Sequence, residues 1–142
     1  MSANLEELYQ SIILDHNRRP QNFRAMPDAS AHAEGLNPMC GDQLTVWLKM
    51  NGDVVEDVSF QGSGCAISKA SASIMTQSVK GKTRAEAEKI FDDFHGLVTG
   101  HGGGGDLGKL KAFSGVSKFP LRVKCATLAW HALKSAMAND GV

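Results

Sequence analysis

Long apolar runs are missing from this chain of 142 residues, and the longest contain about three residues, as in Ile12–Leu14. A membrane-spanning helix needs about 20 consecutive apolar residues. The first residues also lack the basic segment and apolar stretch of a secretory signal peptide. We therefore expect no membrane partner and a cytoplasmic location, where thiols stay reduced.

An excess of charge is missing as well. The 15 Lys and Arg residues balance the 15 Asp and Glu residues, so the formal net charge is zero. Surfaces for nucleic acids are usually strongly basic, so no nucleic-acid partner is expected. The apolar share of 42% and the charged share of 21% are ordinary for a globular chain. The length suits one domain spanning residues 1–142.

Several catalytic motifs are absent. The glycine-rich stretch Gly100–Gly105 lacks the Gly-Lys-Ser/Thr ending of a phosphate-binding P-loop, and we interpret it as a mobile linker. No H-E-x-x-H motif occurs, and no H-x-E with P-C-x-x-C, which excludes zinc peptidases and zinc deaminases of those types. The serines Ser68, Ser71 and Ser73 have no nucleophile elbow around them, which argues against a serine hydrolase.

A β-hairpin is the best-supported local element. Apolar and polar residues alternate over 43–50, and an inward face continues over 54–61. Asn51-Gly52 between them is a strong hairpin signal, because both turn positions tolerate positive φ. The predicted inward residues are Leu44, Val46, Leu48, Met50, Val54, Val58 and Phe60. Residues 20–39 hold three of the four prolines, which predicts a loop with at most one short edge strand.

Helical periodicity predicts four helices around this hairpin. They cover about 5–16, 66–80, the residues after Thr83, and 120–137. Asn4 with Glu7 and Thr83 with Glu86 have the spacing of capping boxes, and Gly81 and Pro120 suit a helix end and a helix start. The last helix shows the stripe Leu121, Cys125, Leu128, Ala132 and Ala136. This order predicts an α+β fold with a small antiparallel sheet against helices.

The three cysteines are an odd number, which does not suit a disulfide framework. Cys40 lies in a Pro- and Gly-containing loop just before the predicted hairpin. Cys65 follows the hairpin at the start of a helix, where unpaired N–H groups and the helix dipole favour a thiolate. Cys40 and Cys65 thus lie beside glycines at the two ends of the same predicted hairpin and could approach each other, while Cys125 lies one turn into the last helix.

The residue types around these cysteines permit a metal site. Asp42 could join Cys40, Cys65 and Cys125 in a Cys₃Asp set, which would suit zinc. No local C-x-x-C pair exists, so spacing alone leaves open that the three cysteines are unrelated small residues. Arg122 shares a helix face with Cys125 and could offset the negative charge of such a site or pair with Asp42.

Three segments resemble a known family when taken together. They are Asn37–Asp42 (NPMCGD), Gly62–Ser71 (GSGCAISKAS) and Arg122–Trp130 (RVKCATLAW). With these segments the chain resembles, over nearly its whole length, the U-type iron–sulfur assembly family of IscU, SufU and the N-terminal part of NifU. Lys124 stands where the IscU branch has a histidine ligand, and residues 96–119 resemble the insertion of the SufU branch. The chain is therefore most similar to the SufU-like branch.

The resemblance implies a SufE/IscU-like fold of about three antiparallel strands. It implies a metal site of Cys40, Asp42, Cys65 and Cys125, with Arg122 in support, that holds zinc or alternatively iron or a [2Fe–2S] cluster. The implied partner is a SufS-type cysteine desulfurase. One of its histidines would replace Cys40 on zinc, and Cys40 would accept a persulfide sulfur for downstream scaffold or apo-protein acceptors.

Three functions stay open at this point. The resemblance favours a sulfurtransferase-like carrier that a desulfurase activates, rather than a free-standing enzyme. The alternative is a scaffold for de novo [2Fe–2S] cluster assembly and transfer, since the same three thiolates and Asp42 could hold a cluster. A third interpretation is a structural zinc module that binds a partner.

Overall fold

The computed structural model describes residues 2–101 and 107–140, with side chains over 6–101 and 107–139. Three strands form one antiparallel sheet in the order β1-β2-β3. This sheet and its helices confirm the α+β prediction with about three strands. In chain order the elements are α1 (Ser2–Arg18), β1 (Ala31–Asn37), β2 (Asp42–Asn51), β3 (Val54–Ser63), α2 (Ala66–Val79), α3 (Arg84–Val98), a 3₁₀ helix (Gly108–Lys118) and α4 (Pro120–Asp140).

The central strand β2 follows the predicted alternation, with Leu44, Val46 and Leu48 fully buried. The Asn51-Gly52 turn joins it to β3 as predicted, with Gly52 at φ +62°. The region predicted as loop contains more structure than expected, since β1 is a seven-residue edge strand paired along β2. Its last pair, Asn37 with Asp42, closes a second hairpin whose turn carries Cys40.

A β-bulge makes one inward assignment wrong. Lys49 pairs with Asp57, but Met50 pairs with Val55, so β3 contains one extra residue at this point. An extra residue moves every following side chain to the opposite face of the strand. Val55 is therefore buried, while Val54, predicted to point inward, is 38% exposed.

The helix ends agree with the sequence at α2 and α3 and differ at α1. Thr83 and Glu86 form the predicted capping box, and Gly81 follows α2 at φ +82°. α1 begins at Ser2, so Asn4 lies inside the helix and the predicted cap at Asn4 is wrong. The reason is that favourable cap spacing does not prevent a helix from extending further towards the N-terminus.

The last helix packs against the sheet and α2. Gly35 in β1 allows a close approach, since a Cβ there would lie 3.0 Å from Leu128 Cγ. Ser71 in α2 links two helices, because its hydroxyl donates to the Ala126 carbonyl at 2.5 Å and accepts from Trp130 Nε1 at 3.1 Å. The predicted stripe is buried from Cys125 onwards, but Leu121 is 50% exposed. Periodicity identifies a face of a helix, not how far neighbouring elements cover it.

α1 is attached to α2 through polar contacts. His16 Nδ1 lies 2.7 Å from Ser73 Oγ, which also accepts from the Gln21 N–H at 2.8 Å. Burial lowers the pKa of His16, and the nearby Lys109 lowers it further. His16 is therefore a hydrogen-bonded core histidine and not a ligand.

The structure does not test two of the predictions made from the sequence. The last four residues of the predicted glycine linker, 102–105, lie outside the described residues. The division into one domain over 1–142 with an insertion at 96–119 stays a prediction. None of the helices in 2–101 and 107–140 is both long and apolar enough to cross a membrane.

Candidate metal centre

Four residues from four parts of the chain meet at one end of the sheet. Cys40 lies in the β1–β2 turn, Asp42 begins β2, Cys65 caps α2, and Cys125 lies in the second turn of α4. The Cys125 and Cys40 sulfurs are 3.4 Å apart, and donor atoms of Cys40, Asp42 and Cys125 all lie within 4.8 Å of one another. Cys65 Sγ is 3.9 Å from Asp42 Oδ2. The fold therefore brings Cys40, Asp42 and Cys125 of the predicted site into one group, and Cys65 lies beside this group next to Asp42.

Asp42 connects the sheet to α2 and is only 2% exposed. Its Oδ1 accepts a hydrogen bond from the Cys65 N–H at 2.8 Å. Gly64 leaves room for this contact, since a Cβ there would lie 2.6 Å from the same oxygen. Within residues 2–101 and 107–140 this carboxylate makes no ion pair. A buried carboxylate without a cationic partner is costly, so its surroundings favour a bound cation.

Cys65 occupies the helix start that the sequence predicted. It is the N-cap residue of α2, and its sulfur accepts from the Ser68 N–H at 3.4 Å. Gly62 shapes the chain just before it, because its φ of +145° and its contact with the Gln43 carbonyl leave no room for a Cβ. The Ser68 N–H and the Gly62 turn together hold the Cys65 sulfur at the start of α2.

Cys125 and Cys40 differ in exposure. Cys125 is 3% exposed, and its sulfur lies 3.8 Å from the donating Nδ2 of Asn37. Burial raises the pKa of the Cys125 thiol, and its contacts with Cys40, Asp42 and Cys65 raise it further. Cys40 is exposed, and its N–H donates to the Asn37 carbonyl at 3.2 Å. A metal ion would have to displace the proton of the buried Cys125 thiol, so metal binding should release protons.

The donor types suit zinc, and two of the distances between them approach those of a zinc site. A tetrahedral site with Zn–S bonds of about 2.3 Å and a Zn–O bond of about 2.1 Å has S···S distances of about 3.8 Å and S···O distances of about 3.6 Å. The Cys40–Cys125 sulfur distance of 3.4 Å and the Cys65–Asp42 distance of 3.9 Å are close to these values. Three thiolates and a carboxylate could also ligate iron or a [2Fe–2S] cluster.

Arg122 borders this group without the predicted ion pair. Its guanidinium lies over the Phe119 ring, 4.4 Å from the centroid. No Arg122–Asp42 pair forms in the described parts of the chain, because Arg122 is exposed at the start of α4 while Asp42 is buried. Lys124 is exposed as well, as expected for a solvated charge.

Sequence reasoning missed three residues that position the donors. Asn37 contacts Cys125, the Ser68 N–H contacts Cys65, and Gly64 leaves space for Asp42. The helix start at Cys65 could have indicated the Ser68 contact, since an N-cap side chain accepts from the third helical N–H. The Asn37 contact spans 88 residues, so no local pattern could have indicated it.

The similarity of this chain to known proteins includes the segments that carry Cys40, Asp42, Cys65 and Cys125. The NifU-like N-terminal domain family matches residues 8–139. The zinc-dependent sulfurtransferase SufU of Bacillus subtilis is 45% identical to this chain, over 98% of this chain and 95% of its own length. The iron–sulfur cluster assembly scaffold protein IscU of Streptococcus pyogenes is 40% identical, over 97% of this chain and 87% of its own.

Solved structures show the same fold. One is described as a candidate iron–sulfur cluster assembly scaffold protein for the SUF system of Fervidobacterium islandicum. It has a TM-score of 0.82 and 34% identity, and the match covers 89% of this chain and 93% of that one. Sequence and fold agree with the resemblance that the three cysteine segments indicated, and the chain belongs to the NifU-like N-terminal domain family.

Proposed function

We propose that this protein is a zinc-dependent sulfur carrier for iron–sulfur cluster assembly. It accepts persulfide sulfur on Cys40 from a SufS-type cysteine desulfurase and passes it to a downstream scaffold or apo-protein. The observation that carries the proposal is the cluster of Cys40, Asp42 and Cys125 with Cys65 beside Asp42, in which Cys40 is the exposed thiol on a turn. The name of the Bacillus subtilis relative supports the same activity.

The four donors are held unequally, which supports Cys40 as the acceptor. Cys125 is buried beside the Asn37 amide, and Cys65 accepts from the Ser68 N–H. In the described parts of the chain, the Cys40 sulfur is hydrogen-bonded only to the Cys125 thiol. Cys40 is therefore the donor that can leave the site with the fewest broken contacts.

The chemistry needs a thiolate that is stored without being oxidised. Zinc held by Cys40, Asp42, Cys65 and Cys125 would supply this, because it binds deprotonated thiols and has no redox chemistry. The Cys40 sulfur attacks the outer sulfur of a cysteine persulfide on the desulfurase. A sulfur–sulfur bond forms at Cys40, the one in the donor breaks, and the donor cysteine leaves as a thiolate. Cys65, Asp42 and Cys125 keep their places meanwhile.

Desulfurase turnover tests this proposal directly. The zinc-loaded, iron-free protein is added to its SufS-type desulfurase, beside the Cys40→Ala variant at equal concentration. We expect a large rise in turnover with the wild type and none with the variant, together with one extra sulfur on the Cys40 peptide by mass spectrometry. The absence of a rise with the wild type, or full sulfur acceptance by Cys40→Ala, would contradict the proposal.

A second candidate function is a scaffold on which a [2Fe–2S] cluster is built. The same donors favour it, and so does the name of the Streptococcus pyogenes relative. Asp42→Ala separates the two. In a carrier the change should weaken zinc binding and sulfur transfer, whereas in a scaffold it should slow cluster release. Anaerobic cluster reconstitution followed by visible absorption distinguishes these results.

The proposed chemistry also fits a reducing compartment. The Cys40 and Cys125 sulfurs lie 3.4 Å apart as separate thiols, and sulfur acceptance requires that they stay reduced. Cytosolic thiols are kept in this state. We therefore propose the cytoplasm as the place of work, which fractionation of cells with an antibody to the protein would test.

A further inference from the structure

Asn37 touches the metal centre in two ways. It is the last residue of β1, it is buried, and it pairs across the hairpin with Asp42. Its side-chain Nδ2 donates to the Cys125 sulfur at 3.8 Å. Its carbonyl accepts from the Cys40 N–H at 3.2 Å. One residue thus contacts the sulfur of Cys125 but only the backbone of Cys40.

An amide N–H beside a thiolate changes the chemistry of that sulfur. The hydrogen bond is charge-assisted once Cys125 has lost its proton, so it stabilises the thiolate. A sulfur that accepts an N–H is less nucleophilic, because the hydrogen bond holds the lone pair with which the sulfur would attack. Over the residues that the structure describes, no N–H donates to the Cys40 sulfur. The amide therefore makes the two neighbouring sulfurs unequal.

We propose that Asn37 is a positioning residue that selects which cysteine reacts. Its amide keeps Cys125 as a resident metal ligand, and Cys40 is left as the more reactive sulfur. This inference rests on the proposed function for its biological meaning, since the reactive sulfur is the proposed acceptor. Burial of Cys125 acts in the same direction, so the test must separate the hydrogen bond from simple access.

Alkylation of the zinc-loaded full-length chain measures this choice without any desulfurase. A limiting amount of iodoacetamide reacts with a thiolate, the carbon–sulfur bond forms and iodide leaves, and peptide mass spectrometry locates the modified cysteine. In the wild type Cys40 should react first. Asn37→Leu keeps the number and branching of the side-chain heavy atoms and removes the donor. It should raise the ratio of Cys125 to Cys40 modification about tenfold, the lower end of the effect of losing a hydrogen bond to a metal ligand.

Asn139→Leu is the matched control, since it makes the same chemical change at an exposed residue near the end of α4. It should leave the ratio unchanged. Cobalt(II) in place of zinc gives a second measurement, which does not depend on how easily the reagent reaches Cys125. The sulfur-to-cobalt charge-transfer band should shift to lower energy in Asn37→Leu, because a thiolate without its N–H donor gives up charge more easily.

The pair Asn37→Thr and Asn37→Val extends the test if Asn37→Leu does not fold or bind metal. The two side chains match in shape and differ by one hydroxyl donor, so Thr should stay nearer the wild type in both readouts. An unchanged ratio and band in Asn37→Leu, or identical values for Thr and Val, would overturn the proposal. Failure of the desulfurase assay would instead count against the proposed function and leave these readouts untouched.

Discussion

The two ends of strand β2 reverse the chain in similar ways and have different roles. At one end Gly52 has φ +62°, and at the other Gly41 has φ +70°, with open space around both. Near the Gly52 end lie ordinary surface charges, such as Lys49 with its ion pairs to Asp28 and Glu56. Next to Gly41 lie a buried carboxylate and three cysteines.

The difference shows that the turn itself does not make the site. Both turns use a glycine in the left-handed region, where other residues are strained. What distinguishes the Gly41 end is that the start of α2 and the second turn of α4 converge on it, bringing Cys65 and Cys125. The site lies where three elements meet, and the β1–β2 hairpin contributes its exposed cysteine.

Removing the metal should produce the largest difference in stability between the two ends of strand β2. Changing free zinc from about 100 times its dissociation constant to zero removes about 2.7 kcal/mol of stabilisation. Amide hydrogen exchange at Cys40 and Cys65 should therefore accelerate about 100-fold on chelation, whereas the Gly81 N–H, bonded to the Val55 carbonyl near the Gly52 end, should change little. Equal acceleration at both ends would indicate a structural zinc module instead.

Gly64→Ala should weaken metal binding by about 10- to 100-fold, which is the usual effect of disturbing the contacts that hold a metal ligand in place. The new methyl group would meet Asp42 Oδ1 at 2.6 Å and push the carboxylate out of place. Competition with a chromophoric chelator measures the affinity. Gly115→Ala is the control, because a Cβ there meets nothing within 4 Å. Equal affinities in the two variants would show that Asp42 is not held as described.

Gly41→Ala and Gly52→Ala form a matched pair across the strand. Each places a side chain in the left-handed region without a clash, so each should lower the free energy of unfolding by about 1 kcal/mol. Urea titration of the metal-free protein measures this. Only Gly41→Ala should also change the rate of sulfur acceptance, because it alters the Cys40 turn. A change in the rate of sulfur acceptance in Gly52→Ala would contradict the view that only the Gly41 turn affects the site.

His16 should give the smallest effect, far from both turns. Burial lowers its pKa in the folded state, so below the unfolded value of about 6.5 the unfolded chain binds more protons. This contribution to stability is complete near neutral pH and declines as the pH falls through 6.5 towards the folded pKa. His16→Gln should flatten the loss of stability between pH 7 and 5, as urea midpoints would show. An unchanged pH slope would contradict this role.

Much of the hairpin and the helices could be predicted because local patterns determine them. The Asn51-Gly52 turn, the alternation of Leu44 to Leu48 and the Thr83 cap all depend on residues close in sequence. β1 was anticipated only as one short edge strand, because Ala31–Asn37 contains no β-branched residue and no Phe, Tyr or Trp. It forms a strand through pairing with β2, which is a non-local contact.

The candidate site was predictable in its residues and not in its contacts. Position at the two ends of one hairpin could bring Cys40 and Cys65 together, but only the family resemblance pointed firmly to Cys125. The bulge that exposes Val54 and the buried Asn37 amide depend on packing between distant parts of the chain. The alternation of apolar and polar residues along the sequence does not reveal such packing.

The Ser71 link between α2 and α4 has a mechanical consequence. Its hydroxyl joins the Ala126 carbonyl and the Trp130 indole, within two turns of Cys125 on the same helix. This contact ties together the helices that carry Cys65 and Cys125, while Cys40 lies outside both, in the turn after the last pair of the β1–β2 hairpin. If Cys40 leaves the site as proposed, the Cys65 and Cys125 sulfurs would keep their spacing, and the place that Cys40 leaves would keep its shape.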